Sequence, residues 1–145
     1  MYKKILVPTD GSPLSAAAIA HGIGLAKSTG ATVVGMTVSV PFHTFALDPM
    51  MVSDTKESYK KDCEARATKD LGAITAAARA AGVPCEAMHV DAEHPYEGII
   101  DTARSAGCDL IVMASHGRKG ASALVLGSET AKVLTHCKIP VLVCR

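Results

Sequence analysis

The sequence predicts one α/β domain in which helices cover both faces of a five-stranded parallel sheet. The chain has 145 residues, the size of a single ordinary domain. Short apolar runs, several nearly continuous in Val, Ile and Leu, alternate with longer segments of helical periodicity. Each pair of runs is separated by a helical segment, which supplies the crossover that parallel strands require. We therefore predict a doubly wound sheet over residues 1–145, with no linker and no second domain.

The predicted elements follow one another in the order β-α-β-α-β-α-β-α-β. Ser12 before Pro13 is typical of a helix N-cap followed by proline at the first helical position, and His94 before Pro95 is a similar start. Three helices are predicted to end at glycines, which tolerate the left-handed turn there: Gly30, Gly82 and Gly107. The predicted strands are Lys4–Val7, Thr32–Val40, Cys85–Val90, Leu110–Ala114 and Ile139–Cys144.

The helix between the second and third strands is predicted from apolar residues at steps of three or four. These residues are Tyr59, Cys63, Ala67, Leu71, Ile74 and Ala78. The segment before it, Pro41–Asp54, is long for a strand-to-helix loop and unusually apolar. Two interpretations of this segment stay open: a lid or interface element, or a flap over the edge of the sheet.

The composition excludes several classes of partner. A formal net charge of +1 gives no basic field for nucleic acid, and an aromatic content of 3% gives no stacking platform for single strands. No apolar run approaches the roughly 18 residues of a membrane span. The N-terminus enters a strand without a signal-peptide layout, and the cysteines are odd in number and show no C-x-x-C pair. We expect reduced core thiols and a cytoplasmic protein.

Two segments are predicted to meet at the carboxyl ends of the strands, where open α/β sheets bind ligands. One is Pro8–Ser12 and the other is Met113–Ser128. In the second segment, Gly117 and Gly120 let main-chain N–H groups approach a ligand, and Gly127 before Ser128 opens a helix whose N-terminus favours phosphate. Alternatively, these glycines only shape a strand-to-helix connection.

Two side chains in these segments carry competing interpretations. Asp10 is the carboxylate expected to face the site, where it could help to hold Mg²⁺ on phosphate oxygens or could cap the following turn. His116 lacks the partners of a catalytic triad, so we expect it to hold the loop through a main-chain hydrogen bond. No dedicated base or arginine finger is recognisable, which favours binding over catalysis.

The two ends of the chain resemble the universal stress protein family, and the likeness extends from about residue 2 to residue 145. The segments that carry it are Lys4–Ser12, Asp109–Arg118, Leu126–Ser128 and Ile139–Val143. The ATP-binding branch of that family has G-x-x-G, nine residues, and then G-S or G-T. Gly117, Gly127 and Ser128 match this motif, whereas Ala114 stands at the position of the first glycine.

The resemblance implies a Rossmann-like sheet of strand order 3-2-1-4-5 that binds ATP, or AMP or ADP, together with Mg²⁺. Pro8, Thr9 and Asp10 would border the nucleotide, Val38 would contact the adenine, and Met113 would lie beside the base and ribose. The loop around the ribose and phosphates would comprise Ala114, Ser115, His116, Gly117, Arg118, Lys119 and Gly120. Residues near the phosphates would be Gly127, Ser128, Glu129 and Thr130.

The resemblance also implies a homodimer, formed by pairing of the C-terminal strand, residues 139–144, with its twin across a two-fold axis. The expected role is that of a stress-response or signalling protein. An alternative is an interaction protein of the same fold that has lost nucleotide binding, for which Ala114 would be the signature.

Overall fold

The computed structural model describes residues 1–42, 52–118 and 125–145. Its strands and helices alternate along the chain, as predicted. In chain order they are β1 (Lys4–Pro8), α1 (Pro13–Thr29), β2 (Thr32–Ser39), α2 (Val52–Ala81), β3 (Cys85–Asp91), α3 (Pro95–Ser105), β4 (Leu110–Ala114), α4 (Ser128–His136) and β5 (Val141–Cys144).

The five strands form one parallel sheet in the order β3-β2-β1-β4-β5, which confirms the predicted fold class and strand order. β1 lies at the centre, and β3 and β5 form the two edges. The helices bury the sheet from both sides, so the central strands are covered on both faces.

The helix ends follow from local sequence. Ser12 caps α1 by accepting a hydrogen bond from the Ser15 N–H, and Gly30 ends that helix in the left-handed conformation at φ 72°. Gly82, at φ 71°, directly follows α2. The third predicted helix end differs slightly, because Ala106 is the C-cap of α3 and the left-handed glycine, Gly107, comes one residue later.

The ends of β1, β2 and β3 differ from the prediction by one residue each, and two further boundaries differ by more. β5 begins at Val141 rather than at Ile139, and the preceding Pro140 has no N–H to donate to a strand ladder. α2 begins at Val52, so the last three residues of the predicted loop, 52–54, belong to a helix. Residues 43–51 of that segment lie outside the described residues, and so do the interpretations of the segment as a lid or flap.

Two separate apolar cores lie on the two faces of the sheet. The first core packs α1 and α2 against residues such as Ile5, Val7 and Val33. The second core packs α3 and α4 against Leu6 and Val34, which are adjacent to those residues along β1 and β2. Because successive side chains of a strand point to opposite faces, each central strand contributes apolar side chains to both cores, which explains its continuous apolar sequence.

Small residues let the helices lie close to the sheet. A Cβ added at Gly22 of α1 would lie 2.7 Å from Val7 Cγ2, and one added at Gly35 of β2 would lie 2.8 Å from Ile74 Cγ2. Real Cβ atoms do not approach carbon so closely, so both glycines set the distance between a helix and the sheet.

None of the helices in the described part of the chain combines the length and the apolar character that a membrane span requires.

Candidate functional site

The centre of the sheet brings the two predicted segments side by side. β1 has β2 on one side and β4 on the other, so the chain order reverses at this point. The helices that follow β1 and β4 pack on opposite faces, which leaves a crevice between the loops at the carboxyl ends of these strands. β1 ends at Pro8, and the N–H of the following residue, Thr9, donates to the Met36 carbonyl at 2.8 Å.

Asp10 joins the two loops across this crevice. Its Oδ1 accepts hydrogen bonds from the Ser12 N–H at 2.9 Å and from the Ser15 hydroxyl at 2.7 Å. Its Oδ2 accepts from the Arg118 main-chain N–H at 2.8 Å. Burial acts to raise the pKa of the Asp10 carboxyl, but the hydrogen bonds from Ser12, Ser15 and Arg118 outweigh it, and this pKa lies below its ordinary value of 3.8. The geometry favours the capping interpretation of Asp10.

The motif glycines allow close contacts between these loops. A Cβ at Gly117 would lie 2.6 Å from Asp10 Oδ2, so the carboxylate reaches the second loop because residue 117 has no side chain. A Cβ at Gly127 would lie 2.9 Å from the Ser115 carbonyl oxygen, which accepts the Gly127 N–H at 2.8 Å. The start of α4 is therefore docked directly onto the main chain at the end of β4.

Ala114, at the position of the family motif's first glycine, is the last residue of β4. Its methyl group packs in the first core, and the residue is 8% exposed. Among the described residues, none other than glycine has a positive φ, so the backbone here suits alanine. The methyl group therefore contributes to the core on the α1 and α2 face of the sheet.

The N-terminus of α4 presents main-chain N–H groups without a side-chain cap. Its N-cap residue is Gly127, and the first intrahelical hydrogen bond is donated by Ala131 to the Gly127 carbonyl at 2.9 Å. The N–H groups of the three residues before Ala131 precede that bond, and within the described residues no side chain caps them. With the helix dipole they form a positive end that suits an anion. Ser128, the first residue of α4, is exposed there.

Two side chains predicted near phosphates have other partners in the structure. The Thr130 hydroxyl is buried and donates to the Ala114 carbonyl at 2.9 Å, which ties α4 to β4. Glu129 Oε2 accepts the Tyr96 N–H at 2.8 Å, in the first turn of α3. The N-cap residue of α3, His94, makes no side-chain cap, so Glu129 supplies the acceptor from the neighbouring helix. Because both side chains are engaged elsewhere, the groups that Glu129 and Thr130 contribute to the crevice are their main-chain N–H groups.

Sequence reasoning missed one residue of this region, Asp70 of α2. It is 6% exposed, and its Oδ2 lies 3.6 Å from Nη2 of Arg118. The guanidinium that the sequence placed against phosphate charge is therefore paired with a buried carboxylate. A charged residue within the otherwise apolar stripe of α2 was the available signal.

The His116 ring has a different partner from the expected one. Its Nδ1 lies 3.0 Å from the Ser115 hydroxyl, so the ring pairs with a side chain rather than with the main chain. Its Nε2 is buried and has no hydrogen-bond partner in the described part of the chain. The ring is thus held beside the end of β4, where Ser115 is itself buried.

The residues predicted around the base lie on the second face of the sheet. Met113 is 5% exposed within the second core, and Val38, half-buried, packs at the edge of that core. Val38 also faces the start of α3, because a Cβ at Gly98 would lie 3.2 Å from its Cγ2. Lys119 and Gly120 lie outside the described residues. The crevice therefore combines an apolar wall near β2 with the uncapped start of α4.

These features define a class: a doubly wound parallel α/β protein with a glycine-bordered crevice at the reversal of its strand order. The model of the universal stress protein family matches residues 1–145. A universal stress protein of Thermus aquaticus is 32% identical over 100% of both chains. The chain belongs to the universal stress protein family.

Solved structures share the fold. The structure of a hypothetical protein of Methanocaldococcus jannaschii superposes with a TM-score of 0.84 at 28% identity, covering 99% of this chain and 96% of that one. A universal stress protein in complex with cAMP has a TM-score of 0.71 at 24% identity, covering 99% of this chain and 97% of that one. At that identity the second likeness concerns the fold alone.

Proposed function

We propose that this protein binds ATP, or the related nucleotides AMP and ADP, in the crevice between the β1 and β4 loops. One observation carries the proposal: α4 begins without a side-chain cap directly beside the end of β4, at the point where the strand order reverses. The first-turn N–H groups of Ser128, Glu129 and Thr130 supply donors for phosphate oxygens. The Ser128 hydroxyl and the Gly117 main-chain N–H add further donors.

The rest of the nucleotide occupies the crevice on either side of this anchor. The ribose lies against the main chain of residues 114–116, and Pro8 and Thr9 border it from the β1 loop. The base lies toward Val38 and Met113, where the second core offers an apolar wall. The family relation supports the proposal of a nucleotide ligand, and a universal stress protein of the same fold has been solved in complex with cAMP.

Mg²⁺ is proposed to arrive with the phosphates rather than to occupy a site made by the protein. Over residues 1–42, 52–118 and 125–145, no group of three or more His, Cys, Asp or Glu side chains could hold a metal ion. Both oxygens of Asp10 already accept hydrogen bonds from the loops. A Mg²⁺ ion held mainly by phosphate oxygens and water agrees with this arrangement, and Asp10 would contact it through water.

Substitution of Ala114 by glycine tests the proposal at the residue where the chain departs from the family motif. Because the methyl group lies in the core, we expect Ala114→Gly to bind ATP with Mg²⁺ within twofold of the wild-type affinity. The same variant should lose about 1–2 kcal/mol of unfolding free energy, from one buried methyl group and a more flexible backbone. Isothermal titration calorimetry with ATP and urea denaturation measure the two effects.

Two outcomes of this titration would contradict the proposal. Wild-type protein that shows no saturable binding at millimolar ATP would support the alternative, an interaction protein without nucleotide binding. A large gain of affinity in Ala114→Gly would mean that the methyl group obstructs the nucleotide. Mass spectrometry of small molecules that co-purify with the protein identifies the preferred nucleotide.

The exposed edge of β5 is proposed to pair with its twin in a homodimer formed through residues 139–144. β5 ends the sheet, and Leu142 on it is 42% exposed. An apolar edge strand of this kind readily pairs with another chain. We expect Leu142→Lys, which places two like charges near the two-fold axis, to weaken dimerisation at least tenfold in sedimentation equilibrium. Lys substitution at exposed Ala20 of α1 is the control, and a monomeric wild type would refute the dimer.

The proposed role is that of a cytoplasmic nucleotide-binding protein in stress response or signalling, with binding rather than turnover as its activity. Asp10, the carboxylate of the crevice, is engaged in hydrogen bonds between loops and is not placed as a free base. We expect phosphate release from ATP to be negligible over many minutes. Sustained turnover would instead make the protein a nucleotide-dependent enzyme.

A further inference from the structure

α2 contributes a buried carboxylate to the β4 loop from a segment that carries none of the motif residues. Asp70 lies within α2 and is 6% exposed, and Arg118, its partner at 3.6 Å, follows the motif residue Gly117. A buried carboxylate without a counter-ion is strongly destabilising. The guanidinium of Arg118 therefore has a role in the fold that holds it beside α2.

Gly11 makes this contact possible. Its φ is +76°, and a Cβ added there would collide with Asp70 Oδ1 and lie 2.7 Å from Arg118 Nη2. The β1 loop, α2 and the β4 loop thus converge on one point, which we call the Asp70 junction: Gly11, Asp70 and Arg118. The junction lies next to Asp10, the residue that already links the two loops.

Arg118 is consequently held at both ends. Its N–H donates to Asp10 Oδ2 at 2.8 Å, and its guanidinium pairs with Asp70. Movement of the guanidinium onto a phosphate would leave Asp70 buried without this counter-ion. The pair therefore keeps the side chain beside α2 and fixes the direction of the main chain at Gly117 and Arg118.

We propose that Asp70 is a positioning residue for the main chain at Gly117 and Arg118, where the Gly117 N–H is a donor to phosphate, and that it acts through Arg118 without touching the ligand. This inference rests on the proposed nucleotide function. Donors that are fixed before the ligand arrives bind it more tightly than donors that must be ordered on binding. Asp70 thereby contributes to the affinity for phosphate and leaves the affinity for the base and ribose unchanged.

Asp70→Asn tests the inference because it removes the charge and keeps the shape. ATP and adenosine are titrated into wild-type and variant protein by calorimetry. We expect the variant to bind ATP at least fivefold more weakly and to bind adenosine, which has no phosphate, as the wild type does. Asp62→Asn is the matched control, since Asp62 is an exposed aspartate on the same helix, and it should change neither affinity.

Each other outcome has a defined meaning. Wild-type protein that fails to bind ATP would remove the proposed function and this inference together. Wild-type binding combined with an unchanged or tighter ATP affinity in Asp70→Asn would overturn the inference alone. An equal loss for ATP and adenosine would also overturn it, because it would show a general structural role.

A second variant covers the case in which Asp70→Asn folds poorly. The double variant Asp70→Asn with Arg118→Gln replaces the ion pair by a neutral pair and leaves no buried charge unpartnered. We expect its ATP affinity to fall by the same factor as in Asp70→Asn, because both changes remove one interaction. A double variant with wild-type ATP affinity would refute the positioning role.

Discussion

Gly127→Ala is expected to destabilise the protein by roughly 2–3 kcal/mol and to weaken ATP binding more than tenfold. The added Cβ would lie 2.9 Å from the Ser115 carbonyl oxygen and 3.2 Å from His116 Cα. Both atoms belong to the main chain and cannot rotate aside, so the start of α4 must move away from β4. The first-turn N–H groups would move with it. Urea denaturation followed by far-UV circular dichroism and calorimetric titration with ATP measure the two losses.

Gly24→Ala provides the matched control for this substitution. Gly24 is exposed in α1, and a Cβ added there meets no atom within 4 Å. Alanine in the interior of a helix should raise the unfolding free energy by about 0.5–1 kcal/mol and leave ATP affinity unchanged. If Gly127→Ala kept both wild-type stability and wild-type affinity, the docking of α4 onto β4 would have no part in binding.

The sheet could be predicted because its signals are local. Apolar runs, proline at helix starts and glycine at helix ends each act within a few residues. They placed the ends of α1 and α2 correctly and the ends of β1, β2 and β3 within one residue. The strand order came from the family resemblance, since no local pattern states which strands are neighbours. The start of β5 was misplaced by two residues because Ile139 continues the apolar run across Pro140.

The glycines of the site could be located from their spacing in the sequence, but the contacts that require glycine at these positions could not be predicted. Sequence reasoning assigned Gly117 to close approach of a ligand, whereas the structure adds a reason within the protein, the approach of Asp10. The Asp10–Arg118 bond joins residues 108 positions apart, and no periodicity in a single sequence reports such a contact. The same limit applies to Glu129, whose partner on α3 is 33 residues away.

Asp70 illustrates the remaining difficulty. The helical pattern of α2 was assigned through Leu71, which is only half-buried. The buried residues of the helix are Ala67, Asp70, Ile74 and Ala78, which follow steps of three and four, and the carboxylate among them was not recognised. Helical periodicity locates the buried face of α2 only to within one residue. Whether position 70 or position 71 is buried depends on the counter-ion Arg118, which comes from a distant loop.

The second large effect is expected for Asp10→Asn, with a loss of about 2 kcal/mol of unfolding free energy at neutral pH. The carboxylate accepts donors on both oxygens, whereas an asparagine has one acceptor and one NH₂ group. In either orientation the NH₂ group meets a donor, the Arg118 N–H or the Ser12 N–H with the Ser15 hydroxyl. Denaturant unfolding of both proteins from pH 7 to pH 2 measures the difference.

The pH dependence of this difference follows from the pKa of Asp10, which lies below 3.8 in the folded protein. A carboxyl whose pKa is lowered by folding stabilises the protein above its unfolded pKa, and that contribution is lost as the pH falls through the folded pKa. The gap between wild type and Asp10→Asn should therefore be constant above about pH 5 and close below 3.8. Asp62→Asn, at an exposed aspartate of α2, is the control and should leave the unfolding free energy at pH 7 within about 0.5 kcal/mol of the wild-type value. A gap for Asp10→Asn that persisted unchanged to pH 2 would show that the ionised carboxylate is not what holds the two loops together.

The same variant separates the two interpretations of Asp10 in ligand binding. If the carboxylate acts by fixing the Arg118 main chain, Asp10→Asn should weaken ATP binding by the same factor with Mg²⁺ and with EDTA. If Asp10 held the metal ion, the ATP affinity would fall only in the presence of Mg²⁺, because ATP without Mg²⁺ makes no contact that depends on the Asp10 charge. We expect the equal loss, since the three donors to Asp10 come from the two loops and the first turn of α1, and the carboxylate is already engaged with them before any nucleotide binds.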